Sequence, residues 1–81
     1  MNTKEKVITV LAGLSGMPTV AEEDTLTASL SLDSLNLALM ILELEDAFCI
    51  QFKEGDMNPF ELITVADVIA LVERYVGGQN E

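Results

Sequence analysis

Histidine is missing from this chain, and cysteine occurs once, at Cys49. Without an imidazole, no Ser-His-Asp or Cys-His catalytic pair and no histidine metal ligand can form within it. The single cysteine excludes an internal disulfide and any multi-cysteine zinc site, and is compatible with a reducing compartment. Its expected state is a buried thiol packed as a small apolar group. Basic residues are also scarce: four Lys+Arg stand against fourteen Asp+Glu, a formal net charge of −10. Such a charge repels nucleic-acid phosphates and favours partners with basic surfaces. No run approaches the roughly 18 apolar residues that span a bilayer, so no membrane span is expected. Met1 to Lys6 is polar, and the apolar stretch from Val7 to Leu14 lacks the flanks of a signal peptide. A cytoplasmic chain is expected.

What is present is a small acidic sequence of 81 residues, 49% of them hydrophobic, consistent with a single domain over residues 1–81. A fold of this length buries only roughly 60 to 65% of its unfolded surface, which leaves little room for an internal active-site cavity. No catalytic residue and no metal ligand is assigned. Lys53 to Glu61 does not supply the ligand series of a calcium loop, and the adjacent acids Glu22, Glu23 and Asp24, like Glu45 and Asp46, read as solubilising charges.

The spacing of Val7, Ile8, Leu11 and Leu14 predicts a first helix from about Thr3 to Ser15 or Gly16. A long connection without sustained period follows to Ser31, and Leu26, Leu30 and Leu32 are expected to pin it to the core. Asp33 is suited to cap a second helix over Ser34 to Phe48. A short helical turn is expected at Pro59 to Leu62, with Asn58 before it as cap. Thr64, with Asp67 three residues on, opens a last helix carrying Val65, Val68, Ile69 and Val72, and Gly77 and Gly78 are expected to end it. The predicted architecture is all-α, three main helices and one short one.

The second helix has two apolar faces. Leu37, Met40, Ile41, Leu44, Ala47 and Phe48 share one, which carries no charge and should face the core. Leu35, Ala38, Leu39 and Leu42 form another that runs into Glu45 and Asp46. Unpaired carboxylates resist burial, so this second face is either a docking surface or is covered by the loop from Gly16 to Ser31. Ser34 lies at the start of the same helix, where free amides and the positive end of the dipole favour a phosphate. From spacing alone, a serine there is more often simply a good helix-start residue.

Leu30-Ser31-Leu32-Asp33-Ser34-Leu35, the helix ending Leu44-Glu45-Asp46-Ala47-Phe48, then Ile50-Gln51-Phe52 and Ile63-Thr64-Val65-Ala66-Asp67-Val68, closely resemble the acyl carrier protein family. Asp33-Ser34-Leu35 matches its attachment motif, and the resemblance spans about residues 3 to 76. It implies a carrier-type four-helix bundle and a monomer that performs no reaction itself. Ser34 would bear 4′-phosphopantetheine, derived from coenzyme A and installed by a phosphopantetheinyl transferase. The arm's thiol, not Cys49, would hold cargo as a thioester for acyl-transferring, condensing or ligase enzymes with basic or apolar docking surfaces. Partner contacts would fall on Asp33, Leu35, Asn36, Ala38, Leu39, Leu42, Glu45 and Asp46. An acyl chain would shelter among Leu37, Ile41, Leu44, Phe48, Phe52, Leu62, Ile63 and Val68, for each of which plain core packing is the alternative.

Asn36 and Leu39 stand where fatty-acid carriers often have carboxylates, and Lys53 where proline is common. These departures point away from housekeeping fatty acid biosynthesis toward a specialised lipid, polyketide or aminoacyl pathway. The competing reading is an unmodified acidic helical module that docks on basic partners.

Overall fold

The computed structural model describes residues 2–53 and 62–79, without the side chains of 78 and 79. Three helices form in chain order, α1 (Thr3–Ser15), α2 (Ser34–Phe48) and α3 (Val65–Gln79). No strand forms among the described residues. Their β pairing is an isolated antiparallel bridge between Thr25 and Thr64. The short turn expected at Pro59 to Leu62 lies outside the described residues, apart from Leu62, which is not helical.

α1 begins where Asn2 takes an extended backbone and its side chain accepts the Glu5 N–H at 2.8 Å. It ends at Gly16, whose φ of 74° is left-handed, with the Gly16 N–H donating to Ala12 O. That conformation strains any residue with a Cβ, so glycine suits the stop. Val7 and Leu11 are buried from this helix, and α1 packs against both α2 and α3.

Residues 17–33 are tied down by the leucines that the sequence pattern singles out. Leu26, Leu30 and Leu32 are all buried. The same segment supplies acceptors to the start of α3. Val65 N–H donates to Asp24 O and Ala66 N–H to Glu22 O, both at 2.9 Å, and Leu26 N–H returns a bond to Ile63 O. First-turn amides of α3, which have no partner within their own helix, are thereby satisfied by another part of the chain.

Thr64 and Asp67 complete that helix start reciprocally. Thr64 Oγ1 accepts the Asp67 N–H at 3.3 Å, and Asp67 Oδ2 accepts the Ile63 and Thr64 N–H groups at 3.0 Å each. Aspartate here does the work glutamate usually does in such a box. The backbone bond from Thr64 does most to hold the Asp67 carboxyl below the ordinary carboxylate range; desolvation pushes it up by less, and the bonds from the Ile63 N–H and the Thr64 side chain add to the lowering. The expected stop at Gly77 and Gly78 is not made, since α3 continues to Gln79. Gly16 is the glycine with positive φ among the described residues, so Gly77 does not adopt the left-handed turn that ends a helix. A glycine inside a helix costs about 1 kcal/mol relative to alanine but does not forbid it.

The core is wholly apolar among the described residues. Leu11, Leu26, Met40, Leu44, Val65, Val68 and Val72 are sealed from solvent, and no polar or charged residue is buried with them.

Candidate functional site

The start of α2 is built from local chemistry. Asp33 is extended, with φ −89° and ψ −176°, and its Oδ1 accepts the Asn36 N–H at 2.8 Å. The helix thus opens at Ser34, as the cap residue predicts. Ser34 is exposed, and its hydroxyl makes no hydrogen bond among the described residues. No acidic residue occupies the first turn. A phosphate on Ser34 Oγ would therefore meet the positive end of the helix dipole and leave the core undisturbed, so the residues present fit such a group.

Down one side of α2 from Ser34, the side chains of Leu35, Leu39 and Leu42 are 69%, 40% and 60% exposed. They recur at the spacing of one helical face. Asp33, Ala38 and Asp46 are exposed as well, while Asn36 and Glu45 are half-buried. The loop after α1 does not cover these leucines; its own leucines turn into the core instead. Glu45, like the capping Asp33, has an internal role, here to a residue beyond the helix. Its Oε2 accepts the Phe52 N–H at 2.9 Å.

Residues expected to line an acyl shelter divide into three groups. Leu44, Phe52 and Val68 are buried; Leu37, Ile41, Phe48 and Leu62 are half-buried against the core; Ile63 is 56% exposed. Met40 and Leu44 mark the core-facing side of α2, in agreement with the helical spacing.

The far end of α2 holds the largest departure from expectation. Cys49 is exposed rather than buried. It occupies the position after the last helical residue with a left-handed backbone, φ 54° and ψ 47°, and its N–H donates to Glu45 O. Its Sγ lies 3.9 Å from Asp46 O, in the last turn of the helix. Lys6 was not singled out by sequence. Its Nζ donates to Ala47 O at 2.8 Å and sits 4.8 Å from the centre of the Phe48 ring. No basic residue lies in the last turn of α2, so α1 supplies the cation that the negative helix end favours. No spacing rule within one helix reveals such a pairing. Beyond it, the edge of Phe52 meets Tyr75 at 4.9 Å between ring centres, and the Lys53 N–H donates to the Tyr75 hydroxyl at 2.8 Å.

Among the described residues, no cluster of His, Cys, Asp and Glu could hold a metal ion, and no helix is long and apolar enough to cross a membrane.

Comparisons with known proteins agree with this geometry. The model of the phosphopantetheine attachment site family matches residues 5–72, a span that includes Ser34. A solved structure from Mycobacterium tuberculosis, provisionally described as an acyl carrier protein, superposes with a TM-score of 0.81. The two are 27% identical, over 90% of this chain and 97% of the other. Among curated protein sequences, none matches significantly. With the family model matched over most of its length, the chain belongs to the phosphopantetheine attachment family of acyl carrier proteins, a carrier domain for covalent 4′-phosphopantetheine rather than a catalyst.

Proposed function

We propose that Ser34 is the attachment residue and that residues 1–81 act as one carrier domain. In a transferase active site, Ser34 Oγ would form a bond to the pantetheine-side phosphorus of coenzyme A. Adenosine 3′,5′-bisphosphate would leave, and the hydroxyl proton would pass to a base of that enzyme. The arm supplies a thiol on which acyl or aminoacyl cargo is held as a thioester. This chain's own part is to expose the serine, orient it through the Asp33 cap and present a surface to enzymes.

The observation that carries this reading is the exposed Ser34 hydroxyl opening α2 beside its capping Asp33. Leu35, Leu39 and Leu42, rimmed by Asp33 and Asp46, support a docking face more apolar than acidic. Partners with an apolar groove and a basic rim would match it, which favours a specialised lipid, polyketide or aminoacyl pathway. Glu45 belongs less to that face than to the fold, because its carboxylate is engaged by Phe52. Leu37, Ile41, Phe48 and Leu62 are the candidates to line a shelter for cargo, since half-buried side chains can part at less cost than the sealed Leu44 and Val68.

Intact mass after incubation with coenzyme A and a broad-specificity phosphopantetheinyl transferase tests the assignment. The wild-type chain should gain one phosphopantetheine and Ser34→Ala none. Equal gain in both would contradict Ser34, and no gain in either would favour an unmodified interaction module.

A further inference from the structure

Ser31 and Cys49 are the non-glycine residues with positive φ among the described residues. Cys49 ends a helix, where a left-handed residue is common. Ser31, at φ 55°, lies in a connection three residues ahead of Ser34. A side chain with a Cβ is strained there, and such a conformation persists only where neighbouring structure dictates it.

The neighbours do so on both sides. The Leu30 N–H donates to Thr25 O at 3.0 Å and the Leu32 N–H to Leu26 O at 2.9 Å. Both leucine side chains are buried, while Ser31 between them is exposed. Directly after Leu32 the chain becomes extended at Asp33 and enters α2. The backbone at Ser31 is therefore the turn between two anchored residues from which the cap and the serine leave the core.

We propose that Ser31 is a positioning residue for phosphopantetheine transfer. Its left-handed backbone, clamped between buried Leu30 and Leu32, sets the direction in which Asp33 and Ser34 emerge and hence the aim of the Ser34 hydroxyl. This rests on Ser34 being the attachment residue. Because the Ser31 side chain points to solvent, the effect runs through backbone conformation. Asparagine or glycine, which accept the left-handed region, should serve in its place, and a β-branched residue should not.

The test is steady-state loading of the full chain with coenzyme A and a broad-specificity phosphopantetheinyl transferase, read by intact mass, for wild type, Ser31→Val, Ser31→Asn and Ser31→Gly. Helical circular dichroism measures the folded population of each. Ser31→Val should lower kcat roughly tenfold or more with KM for coenzyme A unchanged, because a small misplacement of a reacting atom acts on the chemical step. Ser31→Asn and Ser31→Gly should load at close to the wild-type rate. If Ser31→Val loses its helical signal, Ser31→Ala takes its place, with kcat expected below that of Ser31→Asn. A wild-type kcat in the folded Val or Ala variant would overturn the proposal, as would an equal loss in Ser31→Asn. Failure of the wild-type chain to load would overturn this proposal and the Ser34 assignment together. Loading that is indifferent to residue 31 would overturn the positioning role alone.

Discussion

The two ends of α2 are held in opposite ways. At its start, the cap comes from the adjacent residue, Asp33, and Ser34 and Leu35 stand open to solvent. At its finish, groups from elsewhere converge. Lys6 reaches over from α1 to Ala47 O and the Phe48 ring, Glu45 takes the Phe52 N–H, and Phe52 and Lys53 are held in turn by Tyr75 of α3. An end completed by its own neighbours needs no covering element and leaves room for an enzyme to approach. The opposite end fixes the helix to the rest of the domain, so that approach meets a rigid support.

The sharpest contrast should appear in packing. Leu44→Ala, which empties a sealed core position toward the anchored end, should cost about 2–5 kcal/mol in urea unfolding. Leu35→Ala at the open end should stay within about 0.5 kcal/mol, and a comparable cost there would break the comparison. The proposed docking face comes next. Leu39→Glu should weaken transferase binding about tenfold, a difference of ~1.4 kcal/mol. Its melting temperature should match wild type; unaltered affinity by calorimetric titration would count against the apolar face.

An effect of similar size separates the two helix ends directly. Lys6→Met keeps the apolar stem but removes the donor and charge at the finish of α2, and should destabilise by about 1–2 kcal/mol. Asp33→Asn retains a capping oxygen at the start and should cost no more than about 0.3 kcal/mol. Equal losses would mean the start is less self-sufficient than its geometry implies.

The smallest effect concerns Asp67, outside α2. Its carboxyl titrates lower in the folded chain than unfolded. The stabilisation is therefore fully present above the unfolded value of about 3.9 and disappears as pH falls through the lower folded value. Asp67→Asn should melt below wild type near neutrality, and the gap should narrow as acidification takes the pH below the ordinary carboxylate range. A gap that is constant with pH would show that the Asp67 charge does not matter.

Much of this arrangement was legible in the residues because short-range signals mark it. Asp33 announces the start of α2, Thr64 and Asp67 the start of α3, and the spacing of Met40 and Leu44 the buried face. The exposed row Leu35, Leu39 and Leu42 followed from the same periodicity, although whether the preceding loop covered it needed the structure. What escaped depends on contacts remote in sequence or on backbone angles that residue type does not announce. Lys6 meets Ala47 and Phe48 only once α1 packs on α2. Cys49 and Ser31 take left-handed conformations usually filled by glycine or asparagine, so composition suggests burial for one and nothing for the other. Gly77 misled in the reverse direction, because a glycine permits a helix stop without enforcing it.

Site mapping of the loaded protein tests the account most directly. Wild-type chain treated with coenzyme A and transferase, then digested and sequenced by tandem mass spectrometry, should carry phosphopantetheine on Ser34 alone. Modification at Ser29 or Ser31 in its place, or none on the peptide that contains them, would contradict the claim that the open end of α2 presents the attachment residue.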